Sequence, residues 1–194
     1  MARILAWLRR EAHRVVTVQR FVVYAAEPSS IALPSPSQQM AVRRLSEAEV
    51  REFAARNKEA AAHMKWLEQE GGSDVYGVFL GDDLAHVAWL IPVEHDRRLA
   101  VRKAKLRAGE AEIARCYTLP QYRGSGVYLF AIRSLCAIAL SREIRRVFML
   151  AGLTNAASQR GIEKAGFSKV GAILHCQFTW WPALLHFSVR RYGR

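Results

Sequence analysis

Residues 121–126 read Gln121-Tyr122-Arg123-Gly124-Ser125-Gly126 and stand between a strand-like run at 111–119 and a helix-like run at 127–140. A further apolar run follows at 146–150. This order of strand, glycine turn, helix and strand constrains the fold more than any other stretch, because such a unit builds a sheet with a helix packed across it. The turn also bears on chemistry. The first backbone N–H groups of a helix have no partner inside it, and with the helix dipole they suit an anion such as a pyrophosphate. Gly124 and Gly126 carry no side chain to keep the backbone from closing around a phosphate. A plain tight turn would use the same residues; the strand, loop and helix order favours the anion. No Gly-Lys-Ser/Thr follows, so the turn is not a nucleotide phosphate loop. Nor is it a dinucleotide fingerprint, which needs a third glycine and an acid at the end of a second strand. Glu143, the next acid along, precedes the following strand instead.

The loop resembles the acetyl-CoA-binding signature of the GNAT superfamily of N-acetyltransferases, Gln/Arg-x-x-Gly-x-Gly/Ala, with Gln121, Gly124 and Gly126 at its specified positions. A second block agrees. Thr154-Asn155-Ala156-Ala157-Ser158, followed by Glu163-Lys164-Ala165-Gly166-Phe167, is similar to that family's Asn-led helix ending in Lys-x-Gly-Phe. The resemblance spans roughly residues 38–175. It implies acetyl-CoA as cosubstrate and no metal. It also implies a pyrophosphate held by Gln121, Tyr122, Arg123, Gly124, Ser125, Gly126 and Val127. The strand before the loop should splay from its neighbour, so that the pantetheine arm pairs with the backbone of Cys116, Tyr117 and Thr118. Asn155 is implied as a further pantetheine contact.

A length of 194 residues suits one domain with a sizeable core. Hydrophobic residues make up 51% and charged residues 24%, which excludes a disordered chain. Cys116, Cys136 and Cys176 are too few and too scattered for a disulfide framework or a zinc cluster, so reduced thiols and a cytoplasmic setting are expected. No apolar run approaches the roughly 18 residues a membrane span needs, and Arg9-Arg10 break the short apolar start, so neither a span nor a signal peptide is expected. The net charge of +12 exceeds what one acyl-CoA requires. It leaves acidic substrates, nucleic acid and an anionic membrane surface open as partners, although no nucleic-acid recognition motif is visible.

Residues 1–37 read as an extension ahead of the core: a basic amphipathic helix at 1–16, a strand at 15–24 and a connector at 27–39 rich in proline and serine. The extension is expected to pack on the core or on a second copy in a homodimer; contact of its basic helix with an anionic surface is the other reading. Residues 38–194 form the enzyme-like domain. A strand at 39–44 precedes a capping box at Ser46-Glu47-Ala48-Glu49, so a helix begins there, with a break near Arg56-Asn57 and an end at Gly71-Gly72. Runs at 75–80 and 84–91 flank Gly81-Asp82-Asp83 as a hairpin. Residues 97–107 carry six basic residues and no acid, either as a solvated loop or as a border of the site. A helix at 155–164 stops at Gly166, strands at 167–173 and 176–181 close the sheet, and 184–191 adds to it. The fold class is therefore α/β in the α+β sense: a mixed, mostly antiparallel sheet of about seven strands with helices on both faces.

Direct attack of an amine on a thioester needs a base for the amine, a donor for the oxyanion and a proton for the departing thiolate. Strand alternation puts Glu112, Ala114, Cys116 and Thr118 on one face, with Ile113, Arg115 and Tyr117 on the other. Glu112-Ile113-x-x-Cys116 resembles the strand of histone-type GNATs in which the Glu is the general base, so Glu112 is the candidate base; a surface carboxylate paired with an arginine is the bland reading. His86 and His175 are alternative bases. Many family members place an acidic tyrosine seven residues after the helix-leading Asn, where this chain has Ile162. Ser158 instead matches the Asn-x-x-Ser branch and is the candidate acid for the thiolate, with Tyr117 and Tyr128 in reserve. Asn155 and Ser158 also suit a simple helix cap and first turn. The resemblance implies an N-acetyltransferase acting on a primary amine of a small molecule. A protein N-terminus or lysine is the alternative acceptor, and an inactive acyl-CoA-binding module is the alternative of another class.

Overall fold

The structure is a computed structural model that describes residues 16–34, 39–57, 74–92, 106–178 and 185–191. The basic helix expected at 1–16, the later half of the helix expected from 46 to 70 and most of the basic run at 97–107 lie outside the described residues.

Eight strands form one sheet in the order β2-β3-β4-β5-β6-β1-β7-β8. The strands are β1 (Val16–Ala26), β2 (Met40–Arg44), β3 (Asp74–Leu80), β4 (Asp83–Pro92), β5 (Glu110–Thr118), β6 (Arg146–Gly152), β7 (Ser168–Phe178) and β8 (Leu185–Arg191). Only β5 and β6 pair in parallel; every other neighbouring pair is antiparallel. Three α-helices are described: α1 (Glu47–Arg56), α2 (Val127–Ser141) and α3 (Ala156–Ala165). The strands expected at 167–173 and 176–181 are one continuous β7 as far as Phe178, and residues 179–181 lie outside the described residues.

The helix ends follow local chemistry. Ser46 Oγ accepts from the Glu49 N–H at 3.3 Å and Glu49 Oε2 accepts from the Ser46 N–H at 2.8 Å, a complete capping box that starts α1. Asn155 Oδ1 accepts from the Ser158 N–H at 3.0 Å and starts α3. Gly166, at φ 110°, ends α3, and the Phe167 N–H returns to the Ile162 carbonyl, a Schellman stop.

The helices cover opposite faces. Val50 and Phe53 of α1 pack on Val75, Val87, Trp89, Ile91 and Ala114. On the other face, Ile132, Leu135 and Ala139 of α2 and Ile162 and Ala165 of α3 meet Tyr24, Ala88, Leu90, Ile113 and Met149. Covering both faces explains why β4 is apolar along nearly its whole length rather than alternating.

Residues 16–26, read from sequence as part of an extension, form an interior strand. β1 pairs with β6 from Phe21↔Gly152 to Ala26↔Val147, and with β7 from Val16↔Phe178 to Ala25↔Ser168. Its partners lie more than a hundred residues away in sequence, beyond the reach of local pattern.

Candidate active site

β5 pairs with β4 on one side along most of its length. On the other side it meets β6 in only three register pairs, Glu110↔Arg146, Ala111↔Val147 and Glu112↔Phe148. From residue 113 onward the two strands part, and the backbone of 113–118 faces a gap. An unpaired strand edge is a ready partner for an extended ligand that carries amides.

The splayed edge runs directly into the glycine turn. Residues Pro120–Tyr122 make one 3-10 turn, and Gly124 and Gly126 follow, both at φ 84°. Gly126 is the N-cap of α2, and no side chain caps it. A Cβ built at either glycine would meet nothing within 4 Å. The glycines are therefore kept by backbone conformation and by open space above them, not by packing, which fits a phosphate resting on the helix N-terminus. The turn itself is anchored. Tyr122 donates its hydroxyl to Asp83 Oδ2 at 2.9 Å, Ser125 Oγ donates to the Tyr122 carbonyl at 2.6 Å, and Arg123 Nε donates to the Thr118 carbonyl at 3.2 Å. The Val127 side chain is core, packed with Val78, Ala85 and Ala131, so only its backbone faces the turn.

Strand phase along β5 differs from simple alternation. Arg115 has φ 52°, and the register with β4 slips between Trp89↔Ala114 and Val87↔Tyr117. This bulge inserts a residue and reverses the faces beyond it. Ile113 and Cys116 consequently share the α2 core, while Ala114 and Tyr117 share the α1 core. Glu112 stands on the α1 face opposite Ile91, and Cys116 does not share that face as expected. Glu112 is 4% exposed. Cys116 is half-buried, and burial, with the Glu112 carboxylate adding to it, pushes its thiol up to about 12, so it is no thiolate nucleophile at neutral pH. Tyr117 packs edge-on against Phe53 of α1 with ring centroids 6.3 Å apart.

His86 is enclosed. Its Nδ1 lies 2.7 Å from Thr118 Oγ1, its Nε2 has no partner, and burial pulls its pKa down to about 3. With no exposed surface it ties β4 to the end of β5 and is out of reach of an acceptor. His175 lies on β7, separated from β5 by β6 and β1.

Across the gap stands α3. Ile162, at the position of the expected tyrosine, is wholly enclosed in the core. Ser158 Oγ instead lies 3.1 Å from the Tyr128 hydroxyl of α2. The sequence held Tyr128 only in reserve. The available signal was Gly161, a glycine inside a short helix, whose Cβ would sit 2.7 Å from two carbons of the Tyr128 ring.

A cavity of about 340 Å³ adjoins the turn and is lined by Glu52 and Phe53 of α1, Asp82 and Asp83 of the hairpin, and Leu119 and Gln121. Glu49 and Arg56 complete its charged rim. Arg43 holds Glu49 at 2.6 Å and Arg56 holds Glu52 at 2.5 Å. A larger concavity, about 610 Å³, lies at the opposite end of β5 beside Arg107, Arg145 and Arg146 and touches none of the expected site residues. Among the described residues, no His, Cys, Asp and Glu side chains group as a metal site, and no helix is long and apolar enough to cross a membrane.

Residues 42–167 match the model of the Acetyltransferase (GNAT) family. The chain is 28% identical over 93 residues to N-acetyltransferase YodP from Bacillus subtilis, a match covering 47% of the chain and 34% of that protein. The chain therefore aligns with about a third of that relative's length. Its fold is similar to a GCN5-related N-acetyltransferase from Sphaerobacter thermophilus, with TM-score 0.62 and 14% identity over 90% of this chain and 56% of the other. It is also similar to a GCN5-related glucosamine N-acetyltransferase region of a fungal multi-domain GH3 beta-N-acetylglucosaminidase, with TM-score 0.63 and 12% identity over 96% and 23%. Fold, splayed strands, glycine turn and the matched family model agree: the chain belongs to the acetyltransferase (GNAT) family.

Proposed function

We propose that the protein transfers an acetyl group from acetyl-CoA directly to a primary amine of a small molecule. The observation that carries this reading is the continuity of the unpaired β5 edge with the open Gly124 and Gly126 turn. Cys116, Tyr117 and Thr118 offer backbone to the pantetheine arm, Gln121 to Val127 surround the pyrophosphate, and Asn155 stands across the gap as the N-cap of α3. Asn155 uses its side-chain oxygen as the helix cap, so a cosubstrate contact falls to its amide nitrogen.

Glu112 takes the proton of the attacking amine, whose nitrogen bonds to the acyl carbon as the carbon–sulfur bond breaks. Ser158 serves the departing thiolate. Asp82 and Asp83 at the smaller cavity support a cationic acceptor in a chain whose net charge is +12, while Glu49 and Glu52 are matched there by Arg43 and Arg56. Enclosure of Ile162 favours a second reading, an acyl-CoA-binding module without catalysis, since the side chain at the acid position has no access to the gap.

A turnover screen with acetyl-CoA across small amines, polyamines, amino sugars and peptide N-termini, beside calorimetric binding of acetyl-CoA, tests these readings. Turnover of small amines is the expected result. Turnover of peptides alone moves the acceptor to protein, and tight binding with no turnover on any amine selects the inactive module.

A further inference from the structure

Ser158 is the third residue of α3, a position from which a serine hydroxyl commonly turns back onto its own helix. Here it meets a hydroxyl from a different helix, Tyr128 of α2, at 3.1 Å. The packing between the helices is shaped for that pair. Gly161 does not have the positive φ that would require glycine. A glycine inside a helix is disfavoured by roughly 0.5–1 kcal/mol relative to alanine, so the backbone alone gives no reason for it. The Tyr128 ring does, because it occupies the space where a Cβ would be, 2.7 Å from two ring carbons. The phenol also lies near the open edge of β5. Tyr128 and Cys116 of β5 pack against the same core cluster. Burial holds Tyr128 protonated well above the usual tyrosine range, which makes it a standing donor.

We infer that Tyr128 is a positioning residue for Ser158: its O–H donates to Ser158 Oγ and turns the Ser158 O–H toward the open edge of β5, where the thiolate departs. This rests on the acetyl-transfer reading above. Successive hydrogen bonds polarise one another, so the Tyr128 donor makes Ser158 a better donor to the developing negative charge on sulfur. Tyr128 keeps its own proton. The carbon–sulfur electron pair goes to sulfur, the amine proton goes to Glu112, and the thiolate, once released, takes a proton from water.

Four variants test the assignment: Tyr128→Phe, Ser158→Ala, their double, and Gly161→Ala. Tyr128→Phe should lower kcat roughly tenfold, the loss of one hydrogen bond, with the KM and calorimetric Kd for acetyl-CoA unchanged. Ser158→Ala should lose at least as much, and the double variant no more than Ser158→Ala, because the two hydroxyls act as a unit. Gly161→Ala gains helix propensity but puts a Cβ 2.7 Å from two Tyr128 ring carbons, so it should melt lower by overpacking and repeat the Tyr128→Phe loss while keeping both hydroxyls. An unchanged kcat in Tyr128→Phe or in Gly161→Ala overturns the inference, as does a double-variant loss equal to the product of the single losses. A wild-type chain that turns over no amine ends the acetyl-transfer reading and this one with it; active wild type with an indifferent Tyr128→Phe removes the positioning role alone.

Discussion

Replacing Gly124 or Gly126 by Glu separates folding from cosubstrate binding, because the structure gives the two effects different sizes. Both glycines sit at φ 84°, and neither has an atom within 4 Å of a built Cβ. No clash therefore opposes the substitution. A non-glycine residue in the left-handed region costs about 1–2 kcal/mol, and a carboxylate beside a helix N-terminus returns about 0.3–1 kcal/mol. The net loss is about 1 kcal/mol, a fall in Tm of about 2–4 °C for a chain of this size. Binding responds far more. The new carboxylate fills the open space above the turn and repels a pyrophosphate there. At 100 times its Kd, acetyl-CoA stabilises the folded chain by about 2.7 kcal/mol, or about 5–11 °C, and that increment should vanish in both variants. Thermal melts with and without acetyl-CoA read both quantities. A wild-type ligand shift in both variants refutes the phosphate reading. A basal Tm lowered by much more than about 4 °C refutes the account of the glycines as unpacked.

Glu112→Gln keeps the size of a side chain that is 4% exposed, so it should fold normally and lose about 100-fold or more in kcat; steady-state kinetics within threefold of wild type would move the base elsewhere. Ile162→Tyr should not restore an acid, because Ile162 is enclosed in the core; overpacking should cost about 1–3 kcal/mol in urea unfolding, and a stable, faster variant contradicts this. His86 contributes an acid-sensitive share of stability. Its folded pKa of about 3 lies below the ordinary 6.5, so the unfolded chain binds the extra proton between those values and stability falls as pH drops from about 6.5 toward 3. At ~1.4 kcal/mol per pH unit, His86→Gln should visibly flatten the decline in unfolding free energy between pH 7 and pH 4; parallel declines in the two proteins rule the contribution out.

Most of what is local in this fold was legible in the residues themselves. Ser46 with Glu49, Asn155 and Gly166 mark helix ends because capping is decided by neighbours a few residues away. Gly81-Asp82 marks the hairpin for the same reason, with Leu80 opposite Asp83. The placement of β1 was not legible, because its pairing with β6 and β7 depends on residues far along the chain. The face assignment along β5 failed for a subtler reason. A period of two is reliable only while every residue pairs, and Arg115 does not announce a bulge: nothing in an arginine favours φ 52°. Tyr128 stood only in reserve because its partners, Ser158 and Gly161, belong to another helix and become its neighbours only in the packed structure.

The bulge and the splay together arrange the chemistry proposed for the site. Up to Glu112, β5 still pairs with β6, and Glu112 stands on the α1 face, the side of the sheet on which the smaller cavity meets Phe53. After Arg115 the strand edge is open, and its reversed phase turns Cys116 toward α2 and α3, where Tyr128 and Ser158 meet. A thioester lying in the gap would then have the candidate base on one face of the sheet and the candidate hydroxyl pair on the other. An amine approaching from the α1 side attacks while the sulfur departs toward α3, and neither group must cross the other's path. Were β5 to pair residue for residue with no bulge at Arg115, Cys116 and Thr118 would fall on the α1 face, and the open edge would lose its phase relative to Ser158. Deleting Arg115 removes the extra residue, so Cys116 and Tyr117 follow Ala114 in simple alternation on the faces they already hold, and turnover should survive if the sheet closes over the deletion. A folded but inactive deletion variant would show that the bulge does more than set which side chains share a face.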